Sequence, residues 1–120
     1  MIRLLSQDER PSWLPLAYGH RRTFPNRTYK FCEGSKIVAI AGFRMCEGNV
    51  CLFEGLATDP NESSESRKEA IKELTEYVPK AASRLGYKLI LALTSESTVI
   101  QRAKELGWVV VPKTIIAQEL

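Results

Sequence analysis

The spacing of apolar residues predicts one long amphipathic helix in the middle of the chain. From residue 70 to residue 85, apolar side chains recur every three or four positions, and charged residues fill most positions between them. That period places the apolar residues on one face, which a globular domain buries. Gly86 marks the expected C-terminal end, since glycine readily adopts the backbone conformation that closes a helix.

The first turn of this helix has two possible starting points. Ser66 and Glu69 have the spacing of a capping box, which predicts a helix that begins at Arg67. Asp59-Pro60, followed by Glu62, could instead start a separate turn earlier in the chain. Both alternatives place a helix N-terminus a short distance after an apolar run.

Five other segments have the patterns of β-strands. Residues 37–41 are continuously apolar, as in a strand that is covered on both faces. Gly48-Asn49 is a two-residue hairpin signal, so the strands on either side of it should pair antiparallel. A right-handed crossover through the long helix would make the last strand parallel to its neighbour. The predicted strands are residues 2–5, 28–32, 36–45, 50–58 and 89–93.

The N-terminal part of the chain has a less regular pattern. Ser6 or Asp8 can cap a helix that reaches about Tyr18. Pro11 and Pro15 fall inside that segment, and each lacks the amide that a helix interior uses. The sequence therefore predicts a short or irregular helix here.

The C-terminal part contains a second helical pattern and two β-prone runs. Residues 109–111 and 114–117, separated by Pro112, could close the sheet. One apolar stripe precedes them and predicts a short helix, with Val99, Ile100, Ala103 and Leu106 on its buried face.

Composition and length are those of an ordinary soluble globular protein. The chain of 120 residues predicts a single domain that spans residues 1–120. Hydrophobic residues make up 44% and charged residues 26%, which supports a real core. No apolar run approaches the roughly 20 residues that cross a bilayer, and the first residues lack the apolar segment of a signal peptide. We therefore expect no membrane association.

Cysteine usage favours a reducing, intracellular compartment. Cys32, Cys46 and Cys51 are an odd set without tight pairing. Cys46 and Cys51 flank the predicted hairpin turn and could lie close together, although buried free thiols are the simpler interpretation. No metal site is expected, because His20 is the one histidine of the chain.

The order of these elements resembles the cofactor-binding half of the GNAT family of N-acetyltransferases. The resemblance rests on the strand 50–58, the long helix, the strand 89–93 and the short helix that ends in Glu105-Leu-Gly-Trp108. It implies an α/β (α+β) fold with a mixed sheet, in which an antiparallel meander is followed by a parallel strand, with helices on both faces. This chain would be a shortened and divergent example, similar to compact GNAT-like proteins of bacteriophages.

The resemblance also implies a site for acetyl-CoA between the strand that ends at Thr58 and the strand that begins at Leu89. Backbone amides near the end of the first strand would hold the pantetheine arm. The helix N-terminus would bind the pyrophosphate, because its free amides and dipole attract anions. The cofactor-binding residues implied in this way are Leu56, Ala57, Thr58, Ser63, Ser64, Ser66, Arg67 and Lys68.

The predicted pyrophosphate loop departs from the family pattern. The family's arginine-glycine-x-glycine-x-glycine motif falls on residues 63–68, which contain no glycine. Serine amides and hydroxyls, with Arg67 and Lys68, could still bind phosphate. Four acidic residues against two basic ones between Asp59 and Glu69 instead favour a solvated helix start that caps itself.

Glu54 is the candidate catalytic base that the resemblance implies. It lies on the strand before the loop, where family members often use a glutamate to take a proton from the amine. By strict alternation Glu54 shares a face with Val50, Leu52 and Leu56, and an apolar setting makes a carboxylate a better base. The alternative is a carboxylate at a strand bulge beside Gly55, facing water or paired with a basic residue.

Two other family positions are occupied differently in this chain. The tyrosine that often serves as general acid is replaced by Ala103, and the asparagine at the start of that helix falls near Glu96. Some active members of the family use neither group.

Residues 20–27, with Lys30, form a basic and aromatic cluster in a predicted loop. It could bind nucleic acid or an acidic partner, but a solvated loop is the simpler interpretation and nucleic acid is not expected. In GNAT-like proteins this region shapes the acceptor site, so a basic loop would favour an acidic acceptor.

Two functional hypotheses follow from the sequence. The first is an acyl-CoA-dependent N-acyltransferase that transfers acetyl from acetyl-CoA to an unidentified amine. The second is a GNAT-like domain without catalysis, kept as a binding or assembly module, such as a phage virion or host-interaction protein, with a protein partner or as a homo-oligomer. The expected location is the cytoplasm, or the virion if a phage encodes the chain.

Overall fold

A computed structural model of the protein describes residues 1–6, 8–14, 25, 27–94, 96–113 and 116–119. Five strands form one sheet in chain order, and every neighbouring pair is antiparallel except the last, which is parallel. The predicted fold class, an antiparallel meander followed by a parallel strand, is confirmed. The elements are β1 (Ile2–Leu4), β2 (Arg27–Glu33), β3 (Lys36–Met45), β4 (Val50–Thr58), α1 (Ser64–Arg84), β5 (Leu89–Leu91) and α2 (Ser97–Glu105).

The strand predictions hold best in the middle of the chain. β3 and β4 have the predicted bounds, whereas β5 ends two residues earlier than predicted. The predicted strand at 109–111 is wrong, because these residues pair with no described strand and remain exposed. Pro112 follows them directly and offers no amide to a ladder. The prediction for residues 114–117 falls partly outside the described residues, and residues 116 and 117 are not in a strand.

The N-terminal predictions are tested only in part. Residues 8–13 contain turns at residues 8, 12 and 13 and no helix, and the first helical residue is Leu14. The predicted helix start at a cap on Ser6 or Asp8 is therefore wrong. The amide of Glu9 instead donates to the carbonyl of Ser6. The rest of the predicted helix and the basic loop lie outside the described residues, except Pro25 and Arg27, and Arg27 already belongs to β2.

The first turn of α1 starts earlier than the capping box predicted. Ser63 is the N-cap, and its Oγ accepts a hydrogen bond from the Ser66 amide at 3.1 Å. The capping box of Ser66 and Glu69 is therefore wrong as the start of the helix. Ahead of it, Asp59 Oδ1 accepts a hydrogen bond from the Asn61 amide at 2.9 Å, which forms the separate turn that Asp59-Pro60 suggested.

The core lies on both faces of the sheet. On one face, α1 buries its apolar stripe against β2, β3 and β4, with Leu74 and Val78 fully buried against Phe43. Burial of this kind supplies roughly 1.5–3 kcal/mol for each large side chain. On the other face, Trp13 covers Ile40 and Ala57, and the indole Nε1 donates a hydrogen bond to the Ile37 carbonyl at 2.9 Å.

Among the described residues, no helix is both long and apolar enough to span a membrane.

Candidate functional site

β4 has two different halves. From Val50 to Leu52 it pairs with β5 on one side, and from Cys51 onward it pairs with β3 on the other. β5 then ends at Leu91, so residues 53–58 have a described strand on the β3 side alone. Backbone amides on the far side of residues 53–58 are therefore open to a ligand that lies between the two strands.

A bulge bends β4 inside this second half. Ile40 pairs with Ala57 and Gly42 pairs with Glu54, so Gly55 and Leu56 together face one residue of β3. Gly55 has a φ of 77°, the left-handed conformation that glycine adopts without a steric penalty at the first position of such a bulge.

The bulge changes which face each β4 side chain occupies. Phe53 and Leu56 both pack against the α1-side core, while Ala57 packs on the opposite face against Ile40. The prediction that Leu56 shares a face with Glu54 is therefore wrong, because the extra residue reverses the alternation after Glu54. The side chains of Leu56 and Ala57 pack in the two cores. Only the backbone groups of these residues are therefore available to bind a ligand.

Glu54 lies beside the bulge in an ion pair. Its Oε2 accepts a hydrogen bond from Arg44 Nε at 2.7 Å, and both side chains are 36% exposed. This setting matches the alternative interpretation of Glu54 rather than the apolar one. The other oxygen, Oε1, accepts no hydrogen bond from a described residue, which leaves it available to a proton donor.

The residue of β3 that pairs with Glu54 is Gly42, and the backbone of the neighbouring strand β2 lies very close to it. An added Cβ at Gly42 would lie 1.9 Å from the Arg27 carbonyl oxygen, so this position cannot carry a side chain without moving β2. Because Gly42 has no side chain, none projects from the sheet at the position that pairs with Glu54.

The start of α1 brings several predicted residues together. Arg67 Nε donates a hydrogen bond to Thr58 Oγ1 at 3.2 Å, which ties the first helical turn to the end of β4. Ser63 and Ser66 are engaged with each other in the cap. The amides of Ser64 and Glu65 donate to no described residue, so two amides remain for an anion. Lys68 is exposed on the same turn.

The local charge is less acidic than the sequence between Asp59 and Glu69 suggests. Lys36, at the start of β3, forms an ion pair with Glu62, and this hydrogen bond is the main cause of a raised pKa of Lys36. Asp59 is buried and accepts the Asn61 amide. Sequence reasoning counted only neighbours along the chain and so missed Lys36, although the register of the predicted hairpin would have placed it near this turn.

The segment after the last helix contacts β4 through an aromatic pair. Trp108, just after α2, packs edge-to-face on Phe53 with ring centroids 5.8 Å apart. Ala103 is half-buried and supplies no proton donor, and Glu96 caps α2 without a side-chain hydrogen bond.

Within the described part of the chain, no three His, Cys, Asp or Glu residues are placed to hold a metal ion.

No protein-family model matches the sequence, and no curated protein is similar to it. Solved structures do match. TTHA1254 from Thermus thermophilus, in a mutant form, superposes with a TM-score of 0.72 at 16% identity over 100% of this chain and 97% of its own. A GNAT family acetyltransferase from Streptococcus pneumoniae superposes with a TM-score of 0.61 at 14% identity, over 99% of this chain and 100% of its own.

The chain has the GNAT fold. A third structure with this fold, the aminoglycoside N-acetyltransferase AAC(6')-Iy, was solved in complex with CoA and has a TM-score of 0.62 at 18% identity. That match covers 78% of this chain and 75% of the enzyme. The bulged half of β4 carries Glu54 and is followed along the chain by α1, and β5 pairs with β4 only at residues 50–52.

Proposed function

We propose that this protein is an acyl-CoA-dependent N-acyltransferase that transfers an acetyl group from acetyl-CoA to an amine. The observation that supports it best is the second half of β4, where the bulge at Gly55 and the early end of β5 leave strand amides open on a GNAT fold. A linear amide-containing group can bind such an edge through backbone hydrogen bonds, as an added strand does.

The residues around the opening fit the two ends of acetyl-CoA to different degrees. The backbone of Leu56, Ala57 and Thr58 would hold the pantetheine arm. The open amides of Ser64 and Glu65, at the positive end of the helix dipole, would bind phosphate oxygens with the guanidinium of Arg67 beside them. Because the Ser66 amide already donates its hydrogen bond to Ser63 Oγ, the start of α1 offers fewer amide donors to a phosphate than a glycine-rich loop.

The pairing of Lys36 with Glu62 supports an anion site at this helix start. It neutralises one of the four acidic residues that argued against phosphate binding, and the Asp59 carboxylate faces the Asn61 amide. The remaining nearby acid of the first turn is Glu65, whose charge opposes a phosphate. We therefore expect binding that is measurable but weaker than a glycine-lined cradle would give.

Acetyl-CoA supplies an acyl group that is activated as a thioester. In the proposed reaction, the amine nitrogen forms a bond to the acyl carbon, and the carbon–sulfur bond breaks to release CoA as its thiolate. Glu54 would take the proton that the amine loses, directly or through a water, at its free Oε1. Arg44 would hold the carboxylate in place through Oε2, and catalysis would otherwise come from positioning the two substrates.

The alternative is a GNAT-fold binding or assembly module without catalysis. The self-capped helix start, in which Ser63 satisfies the Ser66 amide, favours it, as does the replacement of the usual tyrosine by Ala103. This hypothesis predicts a folded domain with no affinity for acetyl-CoA.

Calorimetric titration with acetyl-CoA, at low and moderate salt, distinguishes the two hypotheses. We expect micromolar to sub-millimolar binding that weakens with salt. Arg67→Gln should weaken it by roughly five- to tenfold, whereas Arg84→Gln, in the last turn of the same helix, should leave it unchanged. No heat and no thermal shift at millimolar acetyl-CoA would reject the enzyme hypothesis and favour the module.

The base is tested separately from the binding. Glu54→Gln should lower turnover by about 10²-fold or more while acetyl-CoA affinity stays nearly the same, because the carboxylate acts on the amine. Glu47→Gln, an exposed residue in the hairpin turn, is the matched control. Equal turnover in Glu54→Gln, measured with a screened panel of amines, would exclude Glu54 as the base.

A further inference from the structure

Arg44 presents unused hydrogen-bond donors beside the proposed base. Its Nε donates to Glu54 Oε2, and both side chains are about a third exposed. Glu54 is the one acceptor that Arg44 contacts among the described residues, so within that part of the chain the two Nη groups of the guanidinium have no acceptor. The pair therefore offers an open carboxylate oxygen and a set of open cationic donors side by side.

This pair lies on the face of the sheet opposite α1. Phe43 and Cys51 pack in the α1-side core. Alternation along each strand therefore turns the next residues, Arg44 and Leu52, to the other face. Glu54 contacts Arg44 on that face, immediately before the bulge of β4. An amine beside Glu54 Oε1 would thus have the guanidinium of Arg44 as its neighbour.

An apolar surface lies next to the pair on the same face. Leu52 pairs with Arg44 on one side and with Leu91 of β5 on the other. Ile90 packs against the α1-side core, so Leu89 and Leu91 face the other way. Leu52 and Leu91 are half-buried, and Leu89 is 52% exposed. The three leucines can therefore cover an apolar group of the acceptor.

An α-amino acid matches this arrangement of charge and apolar surface. A carboxylate binds a guanidinium through two parallel hydrogen bonds, which makes arginine its preferred partner. The 2.7 Å contact between Arg44 and Glu54 keeps the cation and the base together. The carboxylate and the amine of the acceptor must then also lie close together, as they do on the single α-carbon of an amino acid.

Given the proposed acetyl transfer, on which this inference rests, we propose that the acceptor is a free α-amino acid with an apolar side chain. Its carboxylate binds the Nη groups of Arg44, its amine meets Glu54 Oε1, and its side chain packs on the three leucines.

Leucine and leucinamide test the proposal, because leucinamide lacks the carboxylate and resembles the first residue of a peptide. We expect kcat/KM with acetyl-CoA to be about tenfold or more higher for leucine. Arg44→Gln should lower turnover with both acceptors, since it also releases Glu54, but it should reduce the leucine-to-leucinamide ratio by about tenfold or more. A purely structural role of Arg44 would lower both rates equally and leave the ratio unchanged.

Two further variants serve as controls for that ratio. Arg44→Lys keeps a cation without the guanidinium fork, so it should retain part of the preference for leucine. Lys88→Gln removes an exposed cation just before β5 and should leave the ratio unchanged. Circular dichroism checks that each variant is folded.

Saturation-transfer NMR gives a readout that needs no turnover. In titrations of the wild-type protein at millimolar concentrations, leucinamide and serine should each bind roughly tenfold more weakly than leucine, because one lacks the carboxylate and the other the apolar side chain. Arg44→Gln should abolish the preference for leucine over leucinamide.

The outcomes separate this inference from the proposed function. If acetyl-CoA binds but leucine is used no better than leucinamide, or binds no better than serine, the inference is overturned and the proposed function stands. A leucine-to-leucinamide ratio that Arg44→Gln leaves unchanged overturns it as well. No binding of acetyl-CoA would reject the proposed function, and the inference about its acceptor with it.

Discussion

The meander with α1 and the C-terminal part of the chain are packed very differently. α1 buries five of its residues against the sheet, whereas α2 has none that is buried. After β5, an aromatic contact with the sheet is made by Trp108, whose ring packs edge-to-face on Phe53. Among the described residues, the buried apolar side chains therefore lie between Leu5 and Ala82, and the C-terminal part is left with exposed apolar surface for other contacts.

The largest expected difference between the two regions comes from leucine truncation. Leu74→Ala removes a fully buried side chain from the α1-side core and should lower the free energy of unfolding by about 2–5 kcal/mol. Leu93→Ala, in the exposed C-terminal part, should change it by less than about 0.5 kcal/mol. Urea denaturation followed by circular dichroism measures both.

Equal losses for the two variants would contradict this division of the molecule.

Glycine replacement gives a second comparison of the same regions. Gly42→Ala should lower the free energy of unfolding by about 2–3 kcal/mol, because the new Cβ meets the Arg27 carbonyl and β2 must shift. The Cβ added by Gly107→Ala, after α2, would have no atom within 4 Å, but the backbone there has a φ of 90°. Alanine in this left-handed conformation should lower the free energy of unfolding by about 1–2 kcal/mol. Thermal unfolding of both variants checks the order, and a larger loss at Gly107 would reverse the comparison.

Sequence reasoning succeeded where the signals were local. The hairpin signal at Gly48-Asn49 and the apolar run in β3 gave the bounds of two strands. The cap of α1 could not be read in this way, because Ser63 precedes Ser66 by the same spacing as Ser66 precedes Glu69. The choice depends on tertiary contacts, chiefly the Asp59 amide, which donates to the Val38 carbonyl at 2.8 Å and fixes the turn before the helix.

The candidate site was harder to predict because its details depend on pairs across strands. The position of Glu54 on the strand was clear, but its partner Arg44 comes from the neighbouring strand. The bulge at Gly55 was one of two alternatives, and it reverses the face of Leu56. Residues 109–111 have strand-like composition, yet composition says nothing of whether a partner strand is present.

Replacing each of the two cysteines beside the β3–β4 hairpin compares an exposed position with a buried one. Cys51→Ala should cost about 1–2 kcal/mol, because the thiol is fully buried in the α1-side core. Cys46→Ala, in the exposed turn, should leave the free energy of unfolding nearly unchanged.

Burial also raises the pKa of the Cys51 thiol, so a thiol reagent should label Cys46 far faster than Cys51. Mass spectrometry of peptides after brief labelling shows the order, and faster labelling at Cys51 would place it outside the core.

The smallest expected effect is the pH dependence of the N-terminal segment on the face opposite α1. A hydrogen bond from Lys30, and then one from the Ser6 amide, lower the pKa of Glu9 in the folded protein. A lowered pKa stabilises the fold above the ordinary glutamate range, and this stability is lost as the pH falls through the folded value. At a site that is about a third exposed, the loss should stay below about 1 kcal/mol. Glu9→Gln should remove this contribution at neutral pH and flatten the acid limb of the stability curve. If that limb keeps its slope in the variant, the ion pair between Glu9 and Lys30 does not hold this segment to β2.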